Sequence, residues 1–314
     1  MKRWMAIAVL CAACASFTGP GGLTHPEGVV LASPGLGGQP YGVAISRTGD
    51  ALVAQVNAGL VSRYSLPDTL PTSSLISGLQ PVHVAIDPTG SRAYVINQAG
   101  QALRVINLSP FGVVDTIPLT NDGFNVAVAP NGQRVYVTTA DGRVYVVSTA
   151  STAIVDSMRV GSAANGLAFS PNGDRLYVSS RDAGTVTVFA TQTNAPLDTI
   201  VTTGAPQRLA ITPDGSTLFA ANESHGVNVI AIPSGTLQPN IPLDGSGYGV
   251  ALTPDGEQLY ATNPTTGNVF IVDVVSRLVV KTLPVGGTPR NVSFGEDGRI
   301  ALVTDGGGRV IFIR

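Results

Sequence analysis

The chain has 314 residues, 44% of them hydrophobic and only 12% charged, with a formal net charge of −2. That length and apolar content suffice to bury a sizeable core, and the charge supplies no basic footprint of the kind that generic nucleic-acid binding requires. The two cysteines, Cys11 and Cys14, sit at the start, so the rest of the chain is without disulfides, thiolate chemistry or cysteine metal sites.

In chain order, residues 1–15, "MKRWMAIAVLCAACA", join a basic start to an apolar run of about ten residues and then small residues. They read as an export signal, too short to span a bilayer. Two cleavage readings stand side by side. "ACA" ending at Ala15 fits a small-x-small site and a soluble exported protein, whereas "CAAC" resembles a bacterial lipobox and would leave Cys14 as a lipidated N-terminus. Removing Lys2 and Arg3 with the signal leaves 16 basic against 20 acidic residues, a charge of −4. Residues 16–28, "SFTGPGGLTHPEG", read as a Gly- and Pro-rich tether that includes His25.

From residue 29 onward the chain repeats itself. A turn holding one glycine, flanked by apolar runs, recurs at Gly49, Gly90, Gly132, Gly173, Gly215, Gly256 and Gly298, at spacings that alternate between 41 and 42 residues. The copies include "AVAPNGQRVYVTT" (129 is the alanine before Pro130), "AITPDGSTLFAAN" (210–222) and "ALTPDGEQLYATN" (251–263). Pro presets φ and Gly tolerates positive φ, so Pro-Asn-Gly and Pro-Asp-Gly are turns between strands. The runs "RVYVTT" (134–139) and "GRVYVVST" (142–149) carry the Val, Tyr and Thr that suit a pleated surface. Each repeat therefore holds four strands, with no 12-residue window bearing a capped helical stripe.

Four strands at a period near 40 residues predict an all-β, seven-bladed β-propeller spanning residues 29–314 as one domain. The seventh copy stops after its third strand, "GRVIFIR". "VVLASPGLGGQP" (29–40) parallels "VVKTLPVGGTP" (279–289), the fourth strand and exit of blade six, so the N-terminal strand is expected to close the last blade.

The tetrads "YVIN" (94–97), "YVTT" (136–139), "YVSS" (177–180) and "YATN" (260–263), with the apolar-Ala-apolar-x-Pro-x-Gly pattern and the trailing "VGG" and "TG" turns, resemble the YVTN-repeat β-propellers. The resemblance covers residues 29–314. It implies a bacterial or archaeal, extracytoplasmic protein, periplasmic, extracellular or lipid-anchored in the cell envelope. Relatives in the wider group resemble lactonases or quinoprotein dehydrogenase subunits, and one is linked to single-stranded DNA binding.

Propellers bind at one end of the channel, where loops converge on a rigid scaffold. Register places at that end the pairs Tyr41-Gly42, Val82-His83, Phe124-Asn125, Asn165-Gly166, Gln207-Arg208, Tyr248-Gly249 and Arg290-Asn291. Tyr41, His83, Phe124, Asn125, Gln207, Arg208, Tyr248, Arg290 and Asn291 are the candidate binding residues, against the simpler alternative that the aromatics plug the channel. A second loop set offers Asn97, Arg181, Asp182, Asn222, Glu223, His225, Asn263 and Asp305, where the amides and Asp305 are expected to cap their own turns. His83, His225 and Glu223 are the candidates for acid-base work.

Absences narrow the field. The single tryptophan, Trp4, lies in the signal, so the Trp-based docking of quinoprotein dehydrogenases is missing. No zincin, calcium-loop or nucleophile-elbow motif occurs, and "DGGGR" (305–309) joins strands rather than leading into a phosphate-binding helix. The expectation is a non-catalytic binding scaffold, without cofactor or metal, that recognises an envelope protein, peptide or glycan as a monomer. A lactonase- or lyase-like enzyme at the channel mouth is the alternative. Nucleic acid is disfavoured by charge, and membrane contact would come only through a lipid on Cys14.

Overall fold

The computed structural model describes residues 25–314; the expected export signal (1–15), the lipidation candidate Cys14 and most of the expected tether (16–28) lie outside the described residues. Every regular element described is a β-strand, and the strands form seven four-stranded antiparallel sheets. Blade three shows the unit, with strands Gly123–Val128, Arg134–Thr139, Arg143–Ser148 and Ala153–Arg159 paired in sequence order. The first strand faces the channel and the fourth faces solvent.

The Pro-x-Gly turn joins the first strand to the second. In blade five the Gly215 N–H donates to the Thr212 carbonyl at 2.8 Å, with Gly215 at a φ of +73°, a conformation that disfavours any residue with a Cβ. Asp214 accepts from the Ser216 N–H at 3.0 Å, so the turn satisfies its own backbone.

Seven apolar clusters fill the seven clefts between neighbouring blades. The tetrad tyrosines Tyr94, Tyr136, Tyr177 and Tyr260 are each at most 1% exposed. Burying a side chain of that size contributes about 1.5–3 kcal/mol. The cluster between blades seven and one sets Leu302 and Phe312 against Val53 and Tyr64, so the ring is packed shut at its seam as elsewhere.

The seam is also closed by hydrogen bonds. The N-terminal strand, Val30–Ala32, pairs antiparallel with Arg309–Ile313 as the fourth strand of blade seven. Val29 N–H donates to the Arg314 carbonyl at 2.7 Å and Arg314 N–H to the Val29 carbonyl at 2.8 Å. Residues 25–28 continue along blade six: the Tyr260 hydroxyl donates to the Pro26 carbonyl at 3.3 Å, and Lys281 Nζ to that of Glu27 at 3.1 Å.

A second bond system ties blade to blade. In six blades the register shifts near the start of the innermost strand, as between Gly123 and Asn125. A backbone N–H there needs another acceptor. In blade three the third tetrad residue supplies it: the Thr138 hydroxyl accepts from Asn125 N–H at 3.0 Å and donates to the Asn165 carbonyl of the next blade at 2.9 Å. Ser179, Thr262 and Thr304 do the same towards Gln207, Arg290 and Tyr41. Ala54, Ile96 and Ala221 occupy that position in blades one, two and five, which lack the bridge.

Thr304 bridges the seam itself, at 3.1 Å from Asn291 N and 2.5 Å from the Tyr41 carbonyl. Thr304→Val keeps the shape, leaves the buried Asn291 N–H without its acceptor and removes one of the two donors to the Tyr41 carbonyl, so stability is expected to fall by about 1–3 kcal/mol. The check is a lower urea midpoint at unchanged slope; an unchanged midpoint would show that the bridge contributes nothing.

Candidate functional site at the channel mouth

Antiparallel alternation brings the starts of the innermost strands and the loops between second and third strands to the same end of the ring. A cavity of about 560 Å³ opens there. Tyr41, Phe124, Asn165, Gln207, Arg208 and Tyr248 line it from the strand starts, and Gln98, Arg181, Asp182 and Glu223 from the loops. The two loop sets paired in the sequence reading therefore meet in one site.

Two of the ring's glycines are required by close approach. A Cβ at Gly166 or Gly249 would lie 2.2 Å from the carbonyl oxygen of Gln207 or Arg290, respectively, in the next blade. Successive blades come close backbone to backbone at these points.

Arg208 is the centre of the deeper part. It is only 6% exposed, yet its partners are neutral: Nε donates to Asn291 Oδ1 at 3.0 Å and Nη1 to Asn165 Oδ1 at 3.2 Å. Asn291 is fixed in turn by donating to the Tyr41 carbonyl at 2.7 Å. Among the described residues, no carboxylate lies within ion-pair distance of Arg208 or Arg290. Arg290 stacks instead on the rings of Tyr41 and Tyr248, 5.6 and 5.0 Å from their centroids, and its enclosed Nε has no hydrogen-bond partner.

The aromatics do more than fill space. Tyr41 and Tyr248 pack edge to face with centroids 6.1 Å apart, and their hydroxyls hydrogen-bond to each other. Burial pushes the Tyr248 phenol well above its ordinary range, with Tyr41 adding to the effect, so it stays protonated. Phe124 lines the cavity wall on the far side, and Asn125 is buried behind it with its N–H held by Thr138.

The rim carries the acidic groups. Glu223 accepts from Gln207 Nε2 at 2.7 Å and from Arg181 Nη2 at 2.7 Å, while Arg181 also donates to Asp182 at 2.9 Å. Asn165 Nδ2 donates to Gln207 Oε1 at 2.6 Å, which links the rim to Arg208 through a chain of amides.

The three acid-base candidates are not gathered. Glu223 lines the cavity with both oxygens engaged. His83 stands behind the wall, half-buried, with Nδ1 enclosed and unpartnered; burial and the Arg208 charge hold its pKa well below the usual histidine value, so the ring is neutral. His225 is exposed beside Gly204, at the junction of blades four and five, and does not line the cavity.

Of the expected caps, Asn222, Asn263 and Asp305 hold their own turns, with Asn222 Oδ1 accepting from the Ser224 N–H at 2.9 Å, whereas Asn97 Oδ1 accepts from the Ser77 hydroxyl at 2.9 Å and its enclosed Nδ2 has no partner. Asn263 Oδ1 accepts from the N–H groups of Thr265 and Thr266, and Asp305 from those of Thr288 and Gly307. Gln39 and Ala163 line the cavity although strand register did not single them out. Both adopt positive φ, +57° and +52°, in the link that delivers the chain to an innermost strand. Aligning the links across repeats was the available signal.

A family model described as "Lactonase, 7-bladed beta-propeller" matches residues 68–242. Among solved structures, the chain is similar to one described as Kuenenia stuttgartiensis hydrazine synthase, at a TM-score of 0.81 and 18% identity, over 88% of this chain and 96% of that one. Identity that low speaks to the fold alone. No curated protein sequence matches the chain.

The state of His83 sets a pH dependence. Its folded pKa is depressed, so below about pH 6.5 the unfolded chain takes up a proton that the folded ring refuses, and stability falls as pH falls. The slope from this residue reaches at most about 1.4 kcal/mol per pH unit. In His83→Leu that component is expected to vanish, read as the difference between urea midpoints of variant and wild type from about pH 7.5 to about pH 5.5. Parallel curves for the two proteins would contradict the assignment.

Proposed function

We propose, for a chain that belongs to the family of seven-bladed lactonase propellers, that it works as an exported binding scaffold whose channel mouth takes a carboxylate-bearing ligand from an envelope protein, peptide or glycan. The observation that carries this reading is the Arg208 guanidinium. A buried charge is costly unless it is paired, and Arg208 is held by two amide oxygens only, next to a neutral His83 and near a second unpaired cation, Arg290. A bound carboxylate supplies the missing charge through a short, charge-assisted bond. Tyr41, Tyr248 and Phe124 offer flat apolar surface beside it, and the amides of Asn165 and Gln207 offer donors and acceptors for hydroxyls.

The export signal over residues 1–15 supports placement outside the cytoplasm, soluble or anchored at Cys14. The tetrads support the narrower assignment to the YVTN-repeat propellers. We take the working form to be a monomer, its ring closed by its own first strand.

Hydrolysis is the second reading, favoured by the family match. Ring opening of a lactone adds water to the carbonyl carbon and breaks the ring C–O bond, and the leaving oxygen takes a proton. Glu223 is the one cavity carboxylate among the acid-base candidates and would be the base, held in place by Gln207 and Arg181.

Both readings are separated by unfolding experiments with uronic-acid oligomers, acidic peptides, their neutral counterparts and lactones. A ligand at 100 times its dissociation constant adds about 2.7 kcal/mol. That gain is expected for carboxylate-bearing ligands and not for neutral ones, and is expected to disappear in Arg208→Met with Arg290→Met. Gain from the neutral forms alone would overturn the carboxylate reading, and turnover of a lactone lost in Glu223→Gln would establish the enzymatic one.

A further inference from the structure

On the face opposite the channel mouth, the Pro-x-Gly turn of blade six departs from the other six copies. It reads Thr253-Pro254-Asp255-Gly256-Glu257, the only copy with carboxylates at both its third and fifth positions. The chain's N-terminal segment delivers a histidine to this turn from 230 residues away in sequence. His25 Nδ1 lies 2.8 Å from Asp255 Oδ2 and 3.5 Å from Glu257 Oε2, and one ligand atom from each of the three falls within 4.8 Å of the others.

We propose that His25, Asp255 and Glu257 form a site for a divalent transition cation of the zinc class, which clips the N-terminal segment to blade six.

The donor set selects the class. One imidazole with two carboxylates suits zinc, cobalt or manganese ions, whereas calcium takes six to eight oxygens and soft metals take thiolates. Bonds of about 2.0–2.2 Å in tetrahedral geometry put ligand atoms about 3.3–3.6 Å apart, between the 2.8 Å of the His25–Asp255 pair and the 4.8 Å within which all three ligand atoms lie. Charge agrees as well, since a dication balances two carboxylates and a neutral imidazole. Without it, His25 can offer one Nδ1 proton to two anionic neighbours.

An outer shell of hydrogen bonds aims Asp255 as it does carboxylate ligands in metal sites. Asp255 Oδ1 accepts from the Thr253 hydroxyl at 2.6 Å and from Glu257 N–H at 3.0 Å, which leaves Oδ2 turned to His25. The Asp255 side chain is 2% exposed, His25 21% and Glu257 45%, so the site is closed on the protein side and open to water on one other. The backbone behind His25 is pinned at Pro26 by Tyr260, at Glu27 by Lys281 and at Val29 by Arg314. His25 is therefore presented to the turn by a fixed segment.

The experiment uses the full chain, free of any histidine tag, with Cys11→Ser and Cys14→Ser so that no thiol competes. Zn²⁺ is titrated calorimetrically after chelator treatment, and Co²⁺ is followed by visible absorption. One equivalent of Zn²⁺ is expected to bind and raise the unfolding temperature, and Co²⁺ to give the spectrum of a low-coordinate ion with nitrogen and oxygen ligands. His25→Ala should weaken binding beyond the roughly 100-fold that loss of an outer-shell partner costs, and Thr253→Val should fall within the roughly 10–100-fold range. Glu257→Gln, altering a half-exposed side chain, asks the same question should His25→Ala not fold. Absence of stoichiometric uptake by the parent chain, or equal affinity in His25→Ala or Glu257→Gln, would overturn the proposal. The channel residues are untouched by these variants, so the outcome is independent of ligand binding at the mouth.

Discussion

Closure of the ring is the constraint on which the rest of the structure depends. Seven sheets can bury both faces only if each finds a neighbour on either side, and at the seam Leu302, Val310 and Phe312 of blade seven pack on Val53 and Tyr64 of blade one, with Ala32 and Leu36 of the N-terminal segment against the same cluster. The three-residue strand Val30–Ala32 completes blade seven, converting an exposed strand edge into a paired one. Local repeat chemistry makes the blades, and one long-range pairing makes the ring.

Closure also builds the site. The chain of bonds from Arg208 in blade five runs through Asn291 in blade seven to the Tyr41 carbonyl in blade one, where the Thr304 hydroxyl also donates. The Tyr41, Tyr248 and Arg290 stack joins blades one, six and seven. Both arrangements cross the seam. The uncompensated guanidinium of Arg208 is thus held by elements that meet only in the closed ring, and such rigid placement is what a binding group needs if it is not to lose affinity to reordering.

The fold was legible because it is written in local, repeated signals. Glycine spacing, Pro-x-Gly turns and alternating Val and Tyr each report a backbone conformation that nearby residues determine, and the unfinished seventh copy announced the closing strand. The mouth was legible in part, since register alone located Tyr41, Phe124, Gln207, Arg208 and Tyr248, while the capping roles of Asn263 and Asp305 followed from turn chemistry. What register could not supply was partnership between blades. That Arg208 would be held by two amides with no carboxylate, that Arg290 would lie on two tyrosines, and that His225 would sit exposed beside Gly204 and outside the cavity depend on side-chain placements between blades far apart in sequence. The meeting of His25 with Asp255 belongs to the same class, because a histidine in a Gly- and Pro-rich segment carries no local mark of where that segment lands.

The account's central claim is that seam closure supports fold and site together. The most direct measurement is urea unfolding of a chain lacking residues 29–36, followed in parallel with stabilisation by a carboxylate-bearing ligand of the intact protein. The account predicts that the midpoint falls far below that of the parent and that the ligand response is lost with it. A truncated chain with the parent's midpoint and an intact ligand response would contradict it, and would mean that six complete blades and the packed seam hold the channel without the strand.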